Sequence, residues 1–475
     1  MSDEALAEQS TRDLIALIRR LEEQLAVVTA QLAAAQARNA ELEAELARRG
    51  GPPKTPQNSS TPPSQGWKRE GPPTGAAGAK RGRPVGHPGT SRRRAAPDWV
   101  VLCQPTHCAG CGQELTDRPQ ARVGVSQVVE LPPVQPVVFE AWRYVATCAH
   151  CGTTTAAQYP AGFEPTRVFG PRLEVLWTYL HEQHHVGYAR LARLGWELWH
   201  LRVSQGALVN VLGRVAQRLA PQAAAIREQV RASPIIGSDE TSARVNGRTH
   251  WQWVFQTPTA SYHVIRPRRN GAVVPEFLGD AVPETWVSDL YRPQLNAGAA
   301  RHQICLTHQL RELQYVVDKE DSAWARDCQQ LFRLAIHRAH QRDAGELWGA
   351  AYTAAVRKIE GVCDALLATP VAGAEASRLW VRFREHREHL FVFLYDPAVP
   401  PTNNASEQAL RHSVVHRKVT GGFRSDWGAE AHAIVTTVLD TARKRGEDIL
   451  TTLHAALGAP VALPLGLPIL SPGSR

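Results

Sequence analysis

The chain has 475 residues, 43% apolar and 21% charged, with a formal net charge of +9. Those proportions suit several globular domains and exclude a chain disordered throughout. Eight cysteines in this length exclude a secreted disulfide framework, and no apolar stretch reads as a membrane span. The opening MSDEALAEQS is acidic and polar, without the basic-then-apolar order of a secretory signal, so a cytoplasmic location is expected.

Residues 10–49 read as one helix with alternating steps of four and three. Leu14, Leu21, Val28, Ala35 and Leu42 fall at heptad position d. Ile18, Leu25, Leu32, Asn39 and Leu46 fall at position a, where a single buried Asn favours a parallel two-stranded pairing. The expectation is a coiled coil that dimerises the chain. An intramolecular hairpin is the other reading, but the next segment supplies no second helix.

That next segment, 50–97, is a flexible linker. Between Gly51 and Pro97 stand nine Lys or Arg against one acid, with ten Pro and eight Gly, a composition that cannot pack a core. Its basic residues, including Lys80, Arg81, Arg83, Arg92, Arg93 and Arg94, suit counterion exchange with a polyanion, nucleic acid first. A solubilising linker has the same composition.

In 98–165, Cys108-Ala-Gly-Cys111-Gly and Cys148-Ala-His-Cys151-Gly flank a strand-like stretch, VSQVVELPPVQPVVFEAWRYVATC. Thiols spaced in this way grip one tetrahedral ion, and the glycine after each pair allows the tight turn. This predicts a zinc ribbon holding one structural Zn2+; disulfides are the alternative. Cys103 and His107 are spare ligand candidates.

Residues 166–232 turn helical. YARLARLGWELWH and the run from Gln205, with Ser204 as N-cap, read either as a helix-turn-helix with the second helix reading DNA or as two helices packing on the next domain. Here His181-Glu182-Gln183-His184-His185 satisfies HExxH, the zinc-protease pattern. The extended form wants Gly at Tyr188 and His at Leu191, so the motif reads as a polar helix face.

From Pro234 the pattern is strand (IIGSDETSARV), an Asn246-Gly247 hairpin, strand (HWQWVFQT), strand (ASYHVIR), short helix (GAVVPEFLGD), strand (ETWVSDLY). That order opens a ribonuclease-H-like fold. It puts Asp239 mid-strand and Asp289 at a strand end, where neighbouring strands bring them side by side. Gln294 to Thr369 lacks proline and looks helical throughout. Glu407 comes later, in PTNNASEQALR. Each acid has a structural reading of its own; for Glu407 it is a capping box with Asn404 as N-cap. Held together, three carboxylates can bind two Mg2+ and handle a phosphodiester.

In sequence, SDET, VSDLY, CLTHQLREL, PTNNASEQALR and HRKVTGGFRSDWGAEAH resemble a bacterial DDE transposase of the insertion-sequence-sixty-six family, over roughly residues 10–446. The resemblance implies a multidomain protein: α coiled coil, small zinc ribbon, helical DNA-binding segment, and an α/β ribonuclease-H-like core (233–446) with an all-helical insertion at about 298–395. A C-terminal tail (447–475) comes last, whose Pro460, Pro464 and Pro468 suggest an extended strap. The implied catalytic and magnesium-binding residues are Asp239, Asp289 and Glu407, with two Mg2+ or Mn2+. Cys305, His308 and Arg311 would line the helix after the second acid, with Cys305-x-x-His308 needing no metal; His308, Arg311, Arg417, Lys418 and Ser425 would meet DNA. The implied activity is cleavage at transposon ends and strand transfer into target DNA. The partners would be end and target DNA, a second copy or more of the chain, and accessory proteins of the same element. The setting would be bacterial, cytoplasmic and nucleoid-associated. Two other readings remain: a catalytically inactive zinc-ribbon and coiled-coil DNA-binding protein derived from a transposase, and a zinc protease built on His181, Glu182 and His185.

Overall fold

The computed structural model describes residues 11–50, 55 and 92–458, apart from 132, 161, 164, 166, 296 and 297. Lys80, Arg81, Arg83 and the three tail prolines lie outside the described residues, as do the side chains of Leu14, Ile18, Leu42 and Leu46. Among the described residues no helix is long and apolar enough to cross a membrane.

Helix α1 (Thr11–Gly50) covers the heptad segment. Its described seam residues Leu21, Leu25, Val28 and Leu32 are all exposed in the single chain. Among the described residues of the ribbon region only β1 (Val145–Thr147) and β2 (Thr154–Ala156) form strands, paired antiparallel. Most of the strand-like stretch between the cysteine pairs forms no strand. Pro133 and Pro136 offer no N–H there, and its apolar residues, such as Val128, Val129, Val137 and Val138, stand exposed.

Helices α2 (Pro171–Glu182), α3 (Tyr188–Trp199) and α4 (Gln205–Arg231) come next. Ser204 caps α4, its hydroxyl accepting from the Ala207 N–H at 3.1 Å. The apolar stripe of α4 from Leu208 through Val215 and Leu219 to Val230 is buried in the main core, so this helix packs on the sheet domain.

The central sheet has the order β5-β4-β3-β6-β7. It comprises β3 (Ile235–Val245), β4 (Arg248–Gln256), β5 (Ser261–Arg266), β6 (Thr285–Ser288) and β7 (Arg301–Ile304). Asn246 and Gly247, both at positive φ, turn β3 into β4. β3, β4 and β5 run antiparallel, while β6 joins β3 in parallel and β7 joins β6. β7 lies inside the stretch expected to be helical throughout. It is four residues long, too short for periodicity to distinguish it from a helix turn.

Short helices α5 (Val273–Leu278) and α6 (Arg292–Leu295) flank β6. After β7 come α7 (Leu306–Glu320), α8 (Ala323–Asp343), α9 (Gly349–Ala368), α10 (Ala374–Glu385) and α11 (Val392–Tyr395). They build a second core around Phe332, Phe383, Phe391 and Phe393 that reaches the sheet at Val287. The chain then returns through α12 (Asn404–Thr420), α13 (Asp426–Lys444) and α14 (Ile449–Ala456).

α12 lies on one face of the sheet, with Ala409 and Leu410 against Val254. α4, α5 and α13 share the other core with Ile236, Trp253 and Phe255. α13 also closes the free edge: Thr441 and Thr437 hydroxyls accept from the Ser261 and His263 N–H groups at 3.1 and 2.9 Å. The start of the tail is not a strap. Asp448 caps α14, accepting from the Thr451 N–H at 2.7 Å, and Leu453 and Leu457 enter the main core.

Candidate active site

Asp239 sits mid-β3 opposite Val254 of β4, on the sheet face that α12 covers. β6 runs parallel to β3, pairing Val287 with Gly237, so Asp289, just past its end, arrives beside Asp239. Glu407 lies in the first turn of α12.

The NNAS sequence positions that turn. The N-cap is Asn403, not Asn404, and it makes no side-chain cap bond; instead its amide donates to the Ser238 carbonyl at 2.7 Å. The Asn403 N–H donates to Cys305 Sγ at 3.1 Å. Ser406 donates to Asn403 Oδ1 at 2.6 Å, and Gln256 donates to Ser406 at 3.2 Å. The start of α12 is thus bolted to β3, β4 and the head of α7. Glu407 closes no capping box: its Oε1 is buried and lacks a hydrogen-bond partner.

Gly237 makes the close approach possible. A Cβ there would lie 2.7 Å from Gln256 Nε2 and 3.0 Å from Ser406 Oγ. Gly237→Ala should lower stability by about 1–3 kcal/mol and displace α12. Urea unfolding, with nuclease activity assayed on the folded fraction, checks this.

Electrostatics tie the three acids together. Burial and then the Asp289 charge push the Asp239 carboxyl well above its usual range, with Glu240 and Glu407 adding to the effect. The adjacent Glu240 is a separate matter. Its carboxylate pairs with Arg269 at 2.5 Å and is held by Gln294, which also bonds Ser238. Arg269 is fixed in turn over the Tyr291 ring at 4.0 Å. Asp239 has no such cationic partner among the described residues. A divalent cation would relieve its like-charge crowding, and three carboxylates suit magnesium by donor type, but their oxygens do not all lie within 4.8 Å of one another, so closing on an ion needs side-chain movement.

His308, on α7, places Nδ1 3.6 Å from Glu407 Oε1. Burial disfavours its charged form, but Cys305, Glu407 and Asp289 outweigh that and hold its pKa up at about 9. Cys305, His308 and Glu407 offer ligating atoms within 4.8 Å of one another, alone in this among the described residues. The CxxH pair that seemed to need no metal therefore faces the third acid.

Other expected DNA contacts are distributed more widely. Arg311 is half-buried on α7 and without an ion-pair partner among the described residues, and Lys418 is exposed near the end of α12. Arg417 donates to Ser242 at 2.6 Å. Ser425 caps α13, accepting from the Gly428 N–H at 3.2 Å. Arg92 and Arg93 are exposed, while Arg94 donates to the Val125 carbonyl at 3.2 Å.

The two cysteine knuckles are near copies. Cys108 and Cys148 N–H groups donate to Gln113 and Thr153 carbonyls at 2.8 and 2.9 Å, and Gly112 and Gly152, at positive φ, return to the cysteine carbonyls at 2.9 Å. Backbone N–H groups of Cys111 and Gly110 lower the Cys108 thiol, and the Thr153 side chain lowers Cys151. The thiols approach in pairs, Cys108 with Cys111 and Cys148 with Cys151, and the two pairs do not converge into one cluster.

The HExxH residues are not a polar helix face. His181 and Glu182 are buried, and Glu182 Oε2 lies 2.6 Å from His432 Nδ1. His185, His412 and His416 pack around them as edge-on or tilted rings. Among the described residues these groups form no three-ligand set, and Glu182, the residue a protease would need as its base, is committed to His432.

Residues 105–152 match the family model for the zinc-finger binding domain of transposase IS66. Residues 167–431, more than half of the chain, match the model for the transposase IS66 family. No curated protein matches the chain. The match takes in β3 through α12 with all three acids, and the chain belongs to the transposase IS66 family.

Proposed function

We propose that the chain cuts DNA at transposon ends and joins those ends to target DNA by a DDE two-metal reaction, with Asp239, Asp289 and Glu407 as the three acids. The observation that carries this is the parallel β3–β6 register, which sets Asp289 beside Asp239 although the two are 50 residues apart in sequence, with the Glu407 charge adding to the crowding on Asp239. The strand order, with three antiparallel strands and then two parallel ones, supports a ribonuclease-H-like core. On this reading α7–α11 are the helical insertion, and α2–α4 belong to the catalytic unit through the buried stripe of α4.

Two Mg2+ ions, when bound, would lower the pKa of an attacking water and stabilise the leaving 3′-oxygen. Asp239 and Asp289 would hold both sides of that pocket. Glu407 would complete it from α12, its direction set by Asn403 and Ser406. Arg311 and Lys418 would steady the phosphates. The four knuckle cysteines would hold one structural Zn2+ once the two pairs are brought together, because four thiolates suit a closed tetrahedral site. The exposed seam of α1 would pair with a second copy of the chain and so hold two DNA ends together. The basic arm would add sequence-independent affinity.

Linear DNA carrying the element's ends tests the reading. In Mg2+ the purified chain should release 3′-hydroxyl ends, with none in EDTA. Binding of the same DNA with no strand cleavage would identify an inactive derivative instead.

A further inference from the structure

We propose that Cys305, His308 and Glu407 form a second kind of metal site, for a borderline-soft divalent cation such as Zn2+, which shares only Glu407 with the magnesium set. Magnesium prefers oxygen ligands, whereas a thiolate, an imidazole and a carboxylate together select zinc. Atoms sharing a tetrahedral zinc stand roughly 3.3–3.7 Å apart. His308 Nδ1 and Glu407 Oε1 are 3.6 Å apart, and the whole set lies within 4.8 Å, a rotamer adjustment from closure.

Both of those atoms are buried without hydrogen-bond partners, and an ion between them satisfies both. Cys305 is fully buried at the back of the site, with the Asn403 N–H already directed at its sulfur, the outer-shell bond a metal thiolate uses. The His308 and Glu407 side chains keep 18% and 32% exposure, which leaves an entry route and room for water as fourth ligand. Binding displaces two protons to solvent, one from the Cys305 thiol and one from the His308 imidazolium. An ion held here draws Glu407 toward α7 and away from Asp239 and Asp289. Zinc thereby silences cleavage. That inhibitory half rests on the function proposed above; the binding half does not.

The test uses the full chain, equilibrated in buffered Zn2+ and gel-filtered, with zinc per chain measured by atomic spectroscopy. Wild type should retain one more zinc than Cys305→Ser or His308→Gln, with affinity at this site weakened at least about tenfold in each. Cys108→Ser should lose the finger zinc and keep this one. Circular dichroism confirms folding, and His308→Gln decides alone if Cys305→Ser misfolds. Equal zinc in wild type and both variants overturns the site. Raising free Zn2+ should also suppress Mg2+-dependent cleavage by wild type; cleavage unaffected at full zinc occupancy overturns the inhibitory half. Asp239→Asn should keep the additional zinc, so persistent cleavage in that variant refutes the three-acid reading without touching the zinc site.

Discussion

Asp239→Asn should leave folding and DNA binding intact and lower strand cleavage by about a thousandfold or more. Asparagine keeps the shape of the side chain and can still accept from the Glu240 N–H, the one hydrogen bond the Asp239 carboxylate makes at 2.8 Å. What it removes is a charge that the fold crowds against Asp289 and Glu407 at the cost of raising its own pKa. Only a cation makes that crowding favourable, and losing several kcal/mol of metal-mediated stabilisation is about a thousandfold in rate. Asp289→Asn and Glu407→Gln should behave alike, and combining them should add little, because the three act as one unit. Glu240→Gln separates the acids. Its carboxylate is committed to Arg269 and Gln294, so that variant should lose stability and not chemistry. Cleavage rates on end DNA, with a thermal melt for each protein, check the set. Near-normal cleavage by Asp239→Asn would remove this residue from the reaction.

Glu182→Ala should destabilise the chain by about 3–5 kcal/mol, the usual effect of removing one partner from a buried ion pair. Glu182 joins α2 to α13 through His432 and accepts from His412 of α12 at its backbone carbonyl. Truncation leaves His432 in a core shared with His181, His185 and His416 and with no carboxylate to answer it. Acid should act on the same cluster. Burial lowers His412 to about 4 and His416 to about 2, from an ordinary 6.5. As pH falls below 6.5 the unfolded chain takes up protons that these folded rings refuse. Stability should therefore drop by up to about 1.4 kcal/mol per pH unit for each ring, down to pH 4 for His412 and lower for His416. Glu182 works in the same direction. Burial opposes its charge, but His432 outweighs that and depresses its pKa, so its contribution is complete above its ordinary 4.5 and fades as pH falls below it. The raised carboxyls of Asp239 and Glu240 act the other way over this range, so the test uses a chain carrying Asp239→Asn and Glu240→Gln: its urea midpoints should fall steadily from pH 7 to 4.5, and a flat profile there would contradict the buried cluster.

Much of this architecture was legible because the local signals were strong. Asn246-Gly247 announced a hairpin, Ser204 a helix start, and IIGSDETSARV the strand before the hairpin; all three stand in the structure. β7 was hidden, since RHQI is only four residues and its burial depends on the pairing with β6 that sequence does not display. The same blindness applied to His181 and Glu182. Their polarity suggested solvent, and only the tertiary arrangement of α12 and α13 supplies the histidines that bury them. At the candidate site the three acids could be named in advance, but not the roles of Asn403 and Ser406. Capping chemistry favours Asn404 by spacing to Glu407, whereas the observed cap shifts by one residue because Asn403 is needed at Ser238 and Cys305. The convergence of Cys305 and His308 on Glu407 spans about 100 residues and has no local signal at all.

The most direct test of the central claim is a crystal structure of the chain with end DNA and Mn2+, read by anomalous scattering. Two ions should appear about 4 Å apart, held between Asp239, Asp289 and Glu407 with a DNA phosphate across them. Ions lodged elsewhere, or Glu407 turned away from Asp239 when the phosphate is bound, would contradict the three-acid account.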